Sequence, residues 1–240
     1  MRTTIHTLLL AAFASAVALC HYTWVAPTAA LEVGTPSIIQ ISHGHKFPVS
    51  EEAINAAQVD VYVLAPSGAK TKLVATKAAG SVTAPFQAKE AGLHRIVMVQ
   101  DRGITSRTPQ GVKQGGRDRN PSATQASRTF RTAVSYAGAG KAAKPVGVEL
   151  ELVGERTATG WQVQLLKNGK PAGGVAIEVF LPGAAKTAEA GRTGADGKLN
   201  WQTPAGSKGP ALFSAMFKDP APAGASYDAV NYETSLYVNW

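Results

Sequence analysis

Four histidines, His21, His43, His45 and His94, follow the first twenty residues of the 240-residue chain, and all lie in its first half. His43 and His45 form an H-x-H pair around Gly44. In an extended strand, residues two apart project to one face, so both imidazoles can reach a single ion. Gly44 lets the backbone bend and keeps the space between them open. Imidazole nitrogen suits Zn, Cu and Ni.

His21 brings a second kind of donor. It directly follows an apolar leader, and cleavage before it would free an α-amine. With a pKa near ~7.7, that amine is partly neutral at pH 7 and can bind metal. Amine and imidazole from one residue form a compact bidentate chelate. Joined to His43 and His45, they offer up to four nitrogens, a set suited to tetragonal Cu(II) or Ni(II). Tyr22 and Trp24 are placed to wall such a site from solvent. His94, in "GLHRIVMV", shares a strand face with Ile96 and Met98. It is read either as a further ligand or supporting group, or as a half-buried histidine bonded to backbone. The bland alternative is two exposed histidines at a strand end and a frayed terminal residue.

Other chemistries find little support. "GAGKAAK" lacks the frame of a phosphate loop, and there is no G-x-S-x-G elbow. "GADGK" offers a single acidic donor, Asp196, too few for a calcium loop. The expectation is a binding protein and not an enzyme.

The elements that must position these residues are β throughout. "MRTTIHTLLLAAFASAVALC" has one early cation and an apolar run too short to span a bilayer. It reads as a secretory signal, cut before His21 or before Val17. Lipidation of Cys20, the only cysteine, is disfavoured by the bulky Leu19. The exported protein therefore has no disulfide and relies on its core. The expected compartment is periplasmic.

"PSIIQIS", "QVDVYVLA", "TKLVAT" and "GLHRIVMVQ" are short runs rich in β-branched residues, and "SEEAINAAQ" suggests one or two helical turns capped by Ser50. "KPVGVELELVG" alternates Val146, Val148, Leu150 and Leu152 against Glu149 and Glu151. Asn168-Gly169 suits a hairpin turn, and Trp161 and Trp201 read as core. The expected architecture is all-β, with two tandem antiparallel β-sandwiches of immunoglobulin-like type, over 21–140 and 141–240, behind a signal-peptide helix at 1–20.

The chain carries 24 Lys and Arg against 16 Asp and Glu, a net charge of +8. Much of the excess lies in 105–131, a Gly, Pro, Ser and Gln-rich stretch expected to be a solvated mobile loop. Phe130 alone could stack on a base, so no nucleic-acid partner is expected.

Taken together, "CHYTWVAP", "ISHGHKFPVSEEAI", "AGLHRIVMV", "GVELELV" and "LLKNGKPAGGVAIEVF…TGADGKLNWQTP" resemble a known bacterial group. It comprises exported, periplasmic accessory proteins of nickel and cobalt uptake by energy-coupling-factor-type transporters. The resemblance covers most of 21–240. It implies a divalent-metal binding role, with Ni2+ or Co2+ as cargo, Cu2+ or Zn2+ as alternatives, and a membrane transporter subunit as partner. Two other readings compete with it. One is a copper histidine-brace oxidase on a β-sandwich; the other is a structural or adhesion module without metal.

Overall fold

The computed structural model describes residues 21–140, 144–184, 187–207 and 209–239. The expected leader, its cleavage sites and Cys20 lie outside them. Among the described residues, no helix is long and apolar enough to cross a membrane.

The first half holds β1 (Tyr22–Pro27), β2 (Pro36–Gly44), β3 (Val59–Leu64), β4 (Lys70–Leu73), β5 (Thr76–Ala78), β6 (Ser81–Gln87), β7 (His94–Thr108), β8 (Gly111–Gln114) and β9 (Gln125–Ala137). The second half holds β10 (Leu150–Arg156), β11 (Gly160–Lys167), β12 (Lys170–Pro171), β13 (Ala176–Phe180), β14 (Ala188–Arg192), β15 (Lys198–Gln202), β16 (Pro210–Pro220) and β17 (Ala229–Asn239).

The chain is all-β, as expected, but the two halves are joined by a shared sheet. Strands β14-β13-β16-β17 of the second half continue into β9-β7-β3-β4 of the first, with β8 alongside β7. The seam is the parallel pair β9–β17, running from Ser127↔Ala229 to Ser135↔Tyr237. Two smaller sheets, β1-β2-β6-β5 and β10-β11 with β12 and β15, complete the structure.

Side-chain alternation shows how the smaller sheets pack. Val61, Val63, Ile96 and Met98 face the core built with Ile39, Ile41 and Val82 of the first small sheet. Their neighbours Tyr62 and Val97 face the opposite core, with Leu150, Leu152, Trp161 and Val163 of the second. The two smaller sheets therefore cover opposite faces of the shared one. Strand β3 is apolar on both faces because both are covered.

Local chemistry is obeyed in places and overridden in others. Asn168 and Gly169 sit at φ 51° and 72°, the hairpin turn expected of that pair. The helical suggestion at 50–58 shrinks to a three-residue 3₁₀ turn, Ala56–Gln58. Its cap is Asn55, which accepts from the Ala57 amide at 3.1 Å. Ser50 is used elsewhere: it accepts from the His43 amide at 3.1 Å and donates to the Gly80 carbonyl at 2.6 Å.

Strand β10 starts only at Leu150, and Glu151 does not face water. It is fully buried, accepting from the amides of Val146 at 2.6 Å and Gly147 at 3.2 Å.

The basic stretch 105–131 is a folded extension and not a mobile loop. It runs through the end of β7, the β8 hairpin and the start of β9. Three of its arginines, Arg117, Arg128 and Arg131, have acidic partners remote in sequence. Arg117 grips Asp228 through Nε and Nη2 at 2.9 and 2.8 Å, and Arg128 meets Asp101 at 2.5 Å. Asn120 donates to the carbonyls of Gln114, Gly115 and Gly116, closing the turn between β8 and β9.

Candidate metal centre

The register of β1 on β2 builds the site. Tyr22 pairs with Gly44 and Thr23 with His43, so His21 is brought beside the H-x-H pair. The His21 ring lies 5.0 Å from that of His43, nearly parallel at 16°, and 3.7 Å from that of His45.

The chain then returns over this corner. The amides of Glu51 and Glu52 both bond the His43 carbonyl, at 2.9 and 3.3 Å. This turn replaces the expected helix start and aims two carboxylates at the histidines. Glu52 Oε1 stands 3.4 Å from His21 Nε2 and 3.5 Å from His43 Nε2. The donor atoms of these three residues all lie within 4.8 Å of one another. Donors about 2.1 Å from a tetrahedral ion are themselves about 3.4 Å apart, a span that the two Glu52 separations match.

His45 is diverted. Glu51 Oε2 accepts from its amide at 2.5 Å and lies 3.2 Å from its Nδ1. The same carboxylate fills the space over Gly44, where a Cβ would come within 2.7 Å of it. The H-x-H pair is thus split between two neighbouring acids. Glu51 is held below the usual carboxylate range, first by the His45 amide.

His43 is the buried member, 7% exposed. Its Nδ1 lies 2.8 Å from Thr23 Oγ1, which leaves Nε2 facing His21 and Glu52. A group behind a ligating histidine fixes ring orientation in this way. Burial, then the positive charge of Arg131, His21 and Arg102, lowers the His43 pKa to about 3. The imidazole is therefore neutral, and the tautomer that donates Nδ1–H to Thr23 leaves the Nε2 lone pair for a cation.

Tyr22 and Trp24 do not form one wall. Both project away from the His21–Thr23 face, into a cluster with Phe47, Phe180 and Leu212. Trp24 is buried there, 5.4 Å from the Phe47 ring. Tyr22 packs edge-on to Phe180 at 3.9 Å and donates to Glu178 at 2.8 Å, and it also borders the cavity beside the site. Phe180, Leu212 and Tyr237 come from the second half, and Ser235 donates to the Thr23 carbonyl at 2.5 Å. Strand β1 is thus fixed by both halves of the chain.

His94 is elsewhere. It begins β7, and Arg102 lies farther along the same strand, about 25 Å away. It is 2% exposed, its Nδ1 lies 3.1 Å from the Gly92 carbonyl, and the Phe86 ring meets it edge-on at 6.0 Å. This is the backbone-bonded histidine of the alternative reading, separate from the trio.

A cavity of about 390 Å³ opens beside the trio, with Arg102, Arg131 and Glu233 on its wall. Arg131 is 5% exposed and paired with Glu233 at 2.7 Å. These residues, with Glu51 and Glu52, are absent from the set the sequence suggests. The Pro48–Ser50 turn signal could have suggested that the two glutamates fold back on the histidines. Nothing local marks the arginines.

A family model described as "Domain of unknown function (DUF4198)" matches residues 18–219. The chain belongs to that family. The match takes in the first half and most of the second, and ends before β17, the second-half strand of the seam. No curated protein matches the chain. Among solved structures, the "D0-D1 domain of Intimin" is similar at 13% identity over 91% of this chain and 98% of its own. Its TM-score of 0.22 is too low to bear on fold or function.

Proposed function

We propose that this protein binds a divalent transition-metal cation outside the cytoplasm, as an accessory to metal uptake, with nickel or cobalt as cargo. The observation that carries this reading is the convergence of His21 Nε2, His43 Nε2 and Glu52 Oε1, at 3.4 and 3.5 Å, on one point. Two imidazoles and a carboxylate suit Ni(II), Co(II) and Zn(II), and a free His21 amine would add a fourth donor. The resemblance of the histidine-bearing stretches to exported nickel and cobalt accessory proteins supports the choice of cargo. Nitrogen donors favour Cu(II) over Ni(II) intrinsically, so availability outside the cytoplasm decides the ion bound there.

Calorimetry on protein beginning at His21, with Ni(II), Co(II), Cu(II) and Zn(II) in turn, tests the reading. One equivalent of bound metal is expected, with a carboxylate contribution lost in Glu52→Gln. Failure of all four metals to bind would overturn it. Oxygen consumption by the copper-loaded protein with a reductant would instead favour the histidine-brace reading.

A further inference from the structure

The wall of the cavity facing the trio is cationic, which is unusual beside a cation site. Arg131 and Glu233 neutralise each other, with Gln100 Oε1 a further 3.4 Å contact. Arg102 has neither ion pair nor hydrogen bond among the described residues, and its guanidinium stays charged at any working pH. Its outer side meets solvent, but it borders the cavity that His21, His43 and Glu52 share. Its charge acts on His43, while burial and then repulsion by Arg131 lower its own pKa, with Glu233 pulling the other way. It also borders a second, polar recess lined by His43, Glu52, Asn55, Gln58 and Gln100.

The charges on this corner do not balance once an ion binds. Glu52 contributes one negative charge against a divalent cation, which leaves the ion with one positive charge beside unpaired Arg102. Like charges in a partly dehydrated pocket repel strongly. An anion placed between ion and guanidinium removes the repulsion at both ends. Arg presents a planar fork that matches a carboxylate bidentately. The cavity, about 390 Å³, is in the size class of small-molecule sites and far larger than a bare ion needs. Thr132, Ser214 and Thr234 add hydroxyls to its lining, and Met216 an apolar patch.

We infer that the cargo enters as a metal–carboxylate chelate, its metal taken by His21, His43 and Glu52 and its free carboxylate by Arg102 across the cavity. This deepens the metal-binding reading and rests on it. The ligand class is a small di- or tricarboxylate that leaves coordination positions open on the ion. No bond is made or broken beyond exchange of water or carboxylate oxygens for the three protein donors.

The test uses protein beginning at His21 and Arg102→Gln, titrated with NiCl2 in a non-coordinating buffer, with Ni(II) premixed with equimolar citrate, and with citrate alone. Arg102 lies on the surface of the cavity, so the glutamine variant is expected to fold, which its far-ultraviolet spectrum checks. The wild type is expected to bind the citrate complex about tenfold or more tightly than Ni(II) alone. Arg102→Gln should lose that gain and bind Ni(II) alone at least as tightly as the wild type, because the like charge beside the ion is gone. If citrate weakens Ni(II) binding equally in both proteins, acting only as a competing chelator, the inference is wrong and the metal site stands. If neither Ni(II) nor its citrate complex binds, both are wrong. If citrate alone binds as tightly as the complex, the pocket is an anion site and the chelate is excluded.

Discussion

Two buried histidines of the first half occupy opposite ends of the same sandwich, and only one has the surroundings of a ligand. His43 is 7% exposed and His94 2% exposed. His94 has its Nδ1 on the Gly92 carbonyl and its ring against Phe86. His43 has its Nδ1 on Thr23, a second imidazole stacked beside it, a carboxylate 3.5 Å from its Nε2, and a cavity in front. Burial therefore does not separate the two roles. What separates them is whether a ring nitrogen faces other donors or is absorbed by backbone.

The largest expected effect is on metal affinity. His43→Ala should weaken Ni(II) binding at least about 100-fold, more than loss of a supporting group behind a ligand costs. His94→Ala should leave that affinity within about twofold. Competition against a chromogenic chelator reads both. An equal loss in the two variants would erase the distinction.

Stability should show the reverse emphasis. His94→Ala opens a cavity against Phe86 and strips the Gly92 carbonyl of its donor, at a cost of about 2 kcal/mol in urea denaturation of metal-free protein. A cost below about 0.5 kcal/mol would mean the ring is not part of the packed interior.

Thr23→Val sharpens the His43 side. It keeps the shape of the side chain and removes the hydroxyl on Nδ1, and should weaken metal binding by about tenfold. Unchanged affinity would show that the β1–β2 register alone orients the ring.

The smallest effect concerns a buried group with no cation paired to it. Burial raises the Glu151 pKa, against the pull of two backbone amides and the charge of Arg95. The folded-state value then lies above the unfolded one. The stability tied to the neutral carboxyl is present below the ordinary carboxylate range and lost as pH rises through the folded value. Glu151→Gln should flatten that segment of the urea midpoint plotted against pH. A slope that persists in the variant would place its origin in other carboxyls.

The sequence made the strands and the Asn168–Gly169 hairpin readable, because period and turn chemistry are local; His21 was grouped with the H-x-H pair by donor type, and the β1–β2 register supplies the proximity. The shared sheet was not readable. Parallel pairing of β9 with β17 joins residues about a hundred positions apart, and no periodicity reports which strand edges meet. The arginine partners were hidden for the same reason: Arg117 finds Asp228 and Arg131 finds Glu233 across that seam. Glu51 and Glu52 misled because acidic residues after a serine favour a helix start. Here both amides are captured by the His43 carbonyl instead, and the carboxylates turn to the histidines.

Crystals of protein beginning at His21, grown with Ni(II) and measured at the nickel absorption edge, test the central claim most directly. One anomalous peak is expected, about 2.0–2.2 Å from His21 Nε2, His43 Nε2 and a Glu52 oxygen. A peak at His94, or none at this corner, would contradict it.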